Sequence, residues 1–186
     1  MVRLKEAAMN TPRTGDGGPS AGAGARAPGE HPWGDRGQIV ALVAFLAIWA
    51  LDSFAIRLST FLAREVSLLI RLGASGLAMA LAVYFLQGGH RAVPHDPRPS
   101  PGLITGGAFA RVRHPLYAGS LLVYLALAIG TLSLVSLAVW CVIFIFYDAI
   151  ASFEEKRLAE AYGSAYRTYQ NRVPKWVPRL RPARVG

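Results

Sequence analysis

Four apolar runs follow one another between residues 39 and 152, and each is about as long as a bilayer core is thick. They are 39–56, broken only by Asp52; 66–86, broken by Arg71; 116–134, without a charge; and 135–152, with Asp148 near its end. A helix rises about 1.5 Å per residue, so roughly 18 to 21 residues cross a hydrocarbon core of about 30 Å. In hydrocarbon, backbone polar groups must be satisfied within the segment itself, which makes the helix the natural solution for such runs. The expected fold is all-α, an integral membrane helical bundle with about four transmembrane helices. The third and fourth runs are nearly contiguous. Gly130-Thr-Leu-Ser133 therefore has to serve as a tight turn, which makes these two spans an antiparallel hairpin.

Composition excludes the ordinary alternatives. Charged residues make up 17% and hydrophobic residues 53% of the chain. A soluble domain carries about a quarter charged residues, and a disordered chain is poor in large apolar ones. The single Cys141 excludes an internal disulfide and a cysteine-based zinc site, and no metal is expected. The net charge is +9. On so apolar a chain, basic excess points to anionic lipid and cytosolic loops rather than to nucleic acid, for which no reading module is present. With four spans, 17 of the 20 Lys and Arg residues, all but Arg57, Arg64 and Arg71, fall on the side holding both termini and the 87–115 loop. The positive-inside rule then predicts that both termini are cytoplasmic. The Ala/Gly/Arg-rich, Lys-poor composition points to a bacterial cytoplasmic membrane.

Three regions are expected. Residues 1–37, rich in Gly, Pro, Ala and Ser, read as a disordered tail with no signal-peptide core, and Met9 offers an alternative start. Residues 38–86 hold the first two spans. Residues 87–186 hold a loop, the hairpin and a C-terminal part. After Ser152 the pattern becomes that of an amphipathic cytoplasmic helix, with Phe153, Leu158, Ala161, Tyr162 and Ala165 on one face, followed by a basic, Pro-rich end at 175–184.

Ionisable residues inside apolar spans are expensive and therefore candidates for a role. If the first two spans form a hairpin, Asp52 and Arg71 lie at nearly equal depth and are expected to pair. Asp148 either reaches interfacial water or lines a polar cavity.

The most specific stretch is Gly102-Leu-Ile-Thr-Gly-Gly-Ala-Phe-Ala-Arg-Val-Arg-His-Pro-Leu-Tyr-Ala-Gly119. Pro115 suits the first turn of a helix, where its missing N–H is not needed. Arg113 and His114 then lie just outside a helix N-terminus, a position that favours anions. Folding the hairpin at Leu132–Ser133 brings Tyr117 level with Asp148, His114 with Ala151 and Arg111 with Glu154. A basic pair, a tyrosine and the carboxylates Glu154 and Glu155 thus converge on one membrane face. That polarity fits a zwitterionic ligand such as an amino-acid headgroup.

These residues carry a resemblance. Arg113-His-Pro-Leu-Tyr117, the preceding Leu-Ile-Thr-Gly-Gly-Ala-Phe, and Glu154-Glu-Lys-Arg-Leu-Ala-Glu-Ala-Tyr-Gly163 followed by Tyr166, Tyr169 and Arg172-Val-Pro174 resemble the isoprenylcysteine carboxyl methyltransferases and the related phospholipid N-methyltransferases. The resemblance covers roughly residues 100–178. It implies an integral membrane methyltransferase that uses S-adenosylmethionine, with a cofactor pocket open to the cytosol and a lipid-like or otherwise hydrophobic acceptor entering from the bilayer. By position, Gly102, Leu103, Ile104, Phe109, His114, Tyr117 and Glu154 would bind the cofactor. Arg113, Asp148 and Arg172 would serve the substrate side, with Arg172 tying the C-terminal segment over the pocket. The eukaryotic prenylcysteine enzymes place an Arg one turn before the first Glu, and this chain has Ile150 there, so the acceptor need not be a prenylcysteine carboxylate. An amine or hydroxyl acceptor would need a base, with Asp148 and Glu155 as candidates and Arg113 as a further catalytic candidate. The competing reading is a catalytically inactive membrane binding or assembly protein that keeps the fold. A transporter is disfavoured by the nearly apolar middles of the third and fourth spans.

Overall fold

The computed structural model describes residues 34–92 and 102–179; the expected tail up to residue 33 and the basic end from residue 180 lie outside the described residues. The described residues form helices and connecting turns only. These are α1 (Gly34–Ala50), α2 (Leu68–Ala92), α3 (Pro115–Thr131) and α4 (Leu134–Arg172). α1 starts four residues before the predicted edge of the tail and continues into a π-helical turn, Leu51–Ile56. Three stretches are long and apolar enough to cross a membrane: 36–56, α2 and α4. α3 is also apolar but has 17 residues, two fewer than the predicted third run.

α3 lies between the other helices because its surface is made of small side chains. A Cβ built on Gly119 would sit 2.7 Å from Leu86 Cγ and 3.1 Å from the Ala82 carbonyl oxygen of α2. Gly89 of α2 approaches Leu116 just as closely. Close backbone approach at small residues is how membrane helices gain packing, since lipid offers no hydrophobic drive between them. α1 packs on the other side, with Phe45 buried against Leu121, Tyr124 and Tyr147. Outward residues such as Val40, Leu69 and Ile145 stay exposed, as expected of lipid-facing positions.

The α3–α4 turn is as tight as the contiguous apolar runs require. Leu132 adopts the left-handed conformation (φ 49°) that ends α3, and Ser133 caps α4 by accepting a hydrogen bond from Ser136 N.

The expected Asp52–Arg71 pair does not form. Asp52 accepts from Ser59 N (3.1 Å), Ser59 Oγ (2.6 Å) and Ser133 Oγ (2.5 Å), while Arg71 Nη1 donates to the Gly130 carbonyl at 3.2 Å. The two spans are not a simple hairpin: α2 runs along α3, and α1 leans on α4. Both charges reach the same α3–α4 turn but take separate partners on it.

The cytoplasmic amphipathic helix expected after Ser152 is a continuation of α4. Residues 154–161 are almost all strong helix formers, so nothing stops the span where its apolarity ends. The break comes at Gly163, whose φ of 54° and ψ of −124° fold the chain back. Gln170 Nε2 thereby returns to within 3.1 Å of Glu155 Oε2.

Candidate functional site

Pro115 opens α3, and His114 precedes it as an N-cap that makes no side-chain cap hydrogen bond. Its ring is turned instead towards α4. His114 Nε2 lies 3.0 Å from Glu155 Oε1, and Nδ1 lies 3.7 Å from Glu154 Oε2. Tyr117, one turn on, donates its hydroxyl to Glu154 Oε1 at 2.5 Å. The His114 and Tyr117 rings stack in parallel, 5.7 Å apart with a 6° interplanar angle. Two adjacent carboxylates on α4 thus hold two adjacent rings at the start of α3.

Arg113 braces this arrangement. Its Nε and Nη2 make a forked pair with Glu155 (2.9 and 3.3 Å), and Nη1 donates to the Gln170 and Val173 carbonyls. Burial alone would raise the Glu155 carboxyl, but the hydrogen bond from His114 and the charge of Arg113 outweigh it and hold the group below the ordinary carboxylate range. Glu154 keeps a side chain 19% exposed at the open edge of the cluster.

The segment after α4 closes the other flank. Arg113 N donates to the Pro174 carbonyl and Arg179 N to the Arg111 carbonyl, so residues 174–179 run beside 111–113. Asp148 is bound into this strap: Lys175 Nζ reaches its Oδ1 at 2.5 Å and Trp176 Nε1 the same oxygen at 2.7 Å. The Trp176 ring lies 6.0 Å from that of His114. The same indole lines an apolar cavity of about 190 Å3, with Phe85, Leu121, Trp140 and Phe144 among its other walls.

Most of the predicted residues come together. Arg113, His114, Tyr117, Glu154 and Glu155 form one cluster, and Asp148 joins it through Trp176. The 102–104 stretch lies outside any helix and packs beside the returned end of α4. Leu103 packs on Tyr166, Tyr169 and Val173, and Phe109 offers its carbonyl to the Tyr169 hydroxyl at 2.8 Å. Gly102 is exposed. Arg172 is exposed at the end of α4, and Arg113, Lys175 and Trp176 make ties over the site. Lys175 and Trp176 were not singled out from the sequence. The signal for them was a lone tryptophan between Pro174 and Pro178, in a stretch otherwise read as a basic tail.

The phospholipid methyltransferase family model matches residues 66–165, more than half of the chain, with all of α3 and α4 as far as residue 165. The chain belongs to the phospholipid methyltransferase family. Within this family member, the matched span holds Arg113, His114, Tyr117, Asp148, Glu154 and Glu155, and stops short of the 174–179 strap. The chain is also 37% identical over 84 residues to the cobalt-zinc-cadmium resistance protein CzcN of Cupriavidus metallidurans, a match covering 45% of this chain and 38% of that protein. No solved structure matches the chain.

Proposed function

We propose that this family member transfers a methyl group from S-adenosylmethionine to a lipid-like or hydrophobic acceptor at the cytoplasmic face of a bacterial membrane. The observation that carries the reading is the convergence of His114 and Tyr117 on Glu154 and Glu155, across about 40 residues of sequence, at an uncapped helix start. These residues suit the cofactor's chemistry. The first-turn amides of α3 favour its carboxylate, Glu154 can take its ammonium or ribose hydroxyls, and the parallel His114 and Tyr117 rings offer a flat wall. Leu103, Ile104 and Phe109 supply backbone from the adjoining loop. When bound, the cofactor supplies an electrophilic methyl on a sulfonium, displaced in line.

The protein's work is then mostly alignment in a water-poor site, with the acceptor about 3–3.5 Å from the methyl carbon. The apolar cavity lined by Trp176 is the natural seat for the acceptor's hydrophobic part, since the indole that lines it lies 6.0 Å from the His114 ring. Arg113 acts as a positioning residue, because its guanidinium is committed to Glu155 and to two carbonyls. Asp148 secures the strap through Lys175 and Trp176, and Glu155 secures His114. A carboxylate or thiolate acceptor, which needs no base, fits such committed carboxylates best.

The test is incubation of the purified chain with methyl-labelled S-adenosylmethionine and a total membrane lipid extract. Label in the organic phase, lost in Glu154→Ala, supports the reading. Cofactor binding without any labelled product would favour an inactive assembly role instead.

A further inference from the structure

A second cavity, of about 710 Å3, opens where the 104–111 segment meets the last turns of α2. Tyr84, Arg91, Ile104, Gly106, Gly107 and Arg111 are among the residues that line it. His114, Tyr117 and Glu154 do not, and no carboxylate is among its lining residues. The volume lies within the 300–1,000 Å3 range usual for ligand pockets. Its floor is backbone: Gly106 and Gly107 bring no side chains, and a Cβ at Gly106 would meet no heavy atom within 4 Å. Its rim is cationic. Arg91 ends α2, and the Arg111 guanidinium lies over the Tyr84 ring, 5.7 Å from its centroid. The strap adds Arg179, whose N–H binds the Arg111 carbonyl. Two arginines from separate stretches of chain, Arg91 and Arg111, therefore line one cavity at this edge of the bundle. Further along α2, on the face that carries Tyr84 and Gly88, Leu77 and Leu81 are exposed, and Leu81 also borders the smaller apolar cavity.

We propose that this cavity binds an anionic membrane phospholipid, its headgroup phosphate held by Arg91 and Arg111 over the Gly106–Gly107 backbone and its acyl chains lying along α2. Basic pockets between membrane helices at a headgroup level suit phosphate, and guanidinium forks match its oxygens. The apolar wall running away from the cations favours a lipid over a free phosphate, because it matches an amphiphile rather than an ion. The cavity shares Ile104 with the loop that the cofactor reading uses, but His114, Tyr117 and Glu154, which carry that reading, are not among its lining residues.

The full chain, purified in a neutral detergent, is given phosphatidylglycerol or phosphatidylcholine, and retained lipid is counted by native mass spectrometry. Phosphatidylglycerol is expected to be retained in preference. Arg91→Gln and Arg111→Gln should each weaken retention about fivefold, in line with one lost phosphate contact each. Arg64→Gln, at the other end of the bundle, should retain lipid as the wild type does. Gly106→Leu fills the cavity while keeping every charge, and should expel the lipid even if an arginine variant folds poorly. Equal retention of the two lipids, or unchanged retention in Arg91→Gln, Arg111→Gln and Gly106→Leu, overturns the proposal. Displacement by inorganic phosphate would make this a soluble-anion site, and displacement by S-adenosylmethionine would assign the cavity to the cofactor; either result also overturns it.

Discussion

Glu155, buried on α4, holds His114 at the start of α3 through a 3.0 Å contact that spans 41 residues of sequence. The same carboxylate takes the fork of Arg113 and the amide of Gln170. One side chain therefore joins the head of α3, the middle of α4 and the returned end of α4. Glu155→Ala would strand Arg113 among buried groups, and removing one member of such a pair costs about 3 kcal/mol or more. Thermal unfolding in detergent should show that loss, with Glu155→Gln falling between the variant and the wild type.

The same carboxylate sets a pH dependence. Its folded pKa lies below its unfolded value because His114 and Arg113 overcome the burial penalty. The stability it contributes is therefore complete above the unfolded pKa and is lost as pH falls through the folded one. The melting temperature should stay level on the way down to about pH 4.5, the ordinary range for Glu, and fall below it. In Glu155→Gln this component of the fall should be absent.

At the far end of the bundle, Asp52 serves as a clasp. It gathers Ser59 and Ser133, and Ser133 in turn caps α4. Asp52→Ala leaves a buried amide and two hydroxyls without their acceptor, at about 1–3 kcal/mol for the group. We expect a lower melting temperature with cofactor affinity unchanged, since the clasp and the His114 cluster lie at opposite ends of α3. Calorimetry of the folded variant checks both halves.

Gly119 tests the packing of α2 on α3. Gly119→Ala drives a methyl to within 2.7 Å of Leu86 and 3.1 Å of the Ala82 carbonyl oxygen, and the latter is backbone that cannot turn away. Overpacking of this kind costs about 1–3 kcal/mol. The α2–α3 pair should loosen, visible as faster amide exchange along α2.

The spans, the tight α3–α4 turn and the meeting of His114, Tyr117 and Glu154 were legible in the sequence, because helix length and apolar runs dictate them. The register was not. A mirror about the turn sets Tyr117 opposite Asp148, whereas Tyr117 binds Glu154, six residues further along. Side chains on a helix lean towards its N-terminus. In this hairpin Tyr117 leans outward to the surface and Glu154 leans back towards the membrane, so they meet across an axial offset of about 9 Å. The Asp52–Arg71 expectation failed because period and length say nothing about which helices are neighbours. Serine hydroxyls near the turn then satisfied the carboxylate in place of a guanidinium. The strap was missed because Lys175 and Trp176 have no periodic pattern, and their partner Asp148 lies 27 residues away from Lys175.

The most direct measurement is calorimetric titration of S-adenosylmethionine into the detergent-purified chain, beside Glu154→Ala, His114→Ala and Tyr117→Phe. The wild type should bind with a Kd of about 1–100 μM, within the range usual for enzyme ligands. Binding should disappear in Glu154→Ala and His114→Ala, and weaken about tenfold in Tyr117→Phe, which loses one charge-assisted hydrogen bond. A folded wild type that binds no S-adenosylmethionine, or variants that bind it as tightly as the wild type does, would contradict the assignment of the His114–Tyr117–Glu154 cluster as a cofactor site.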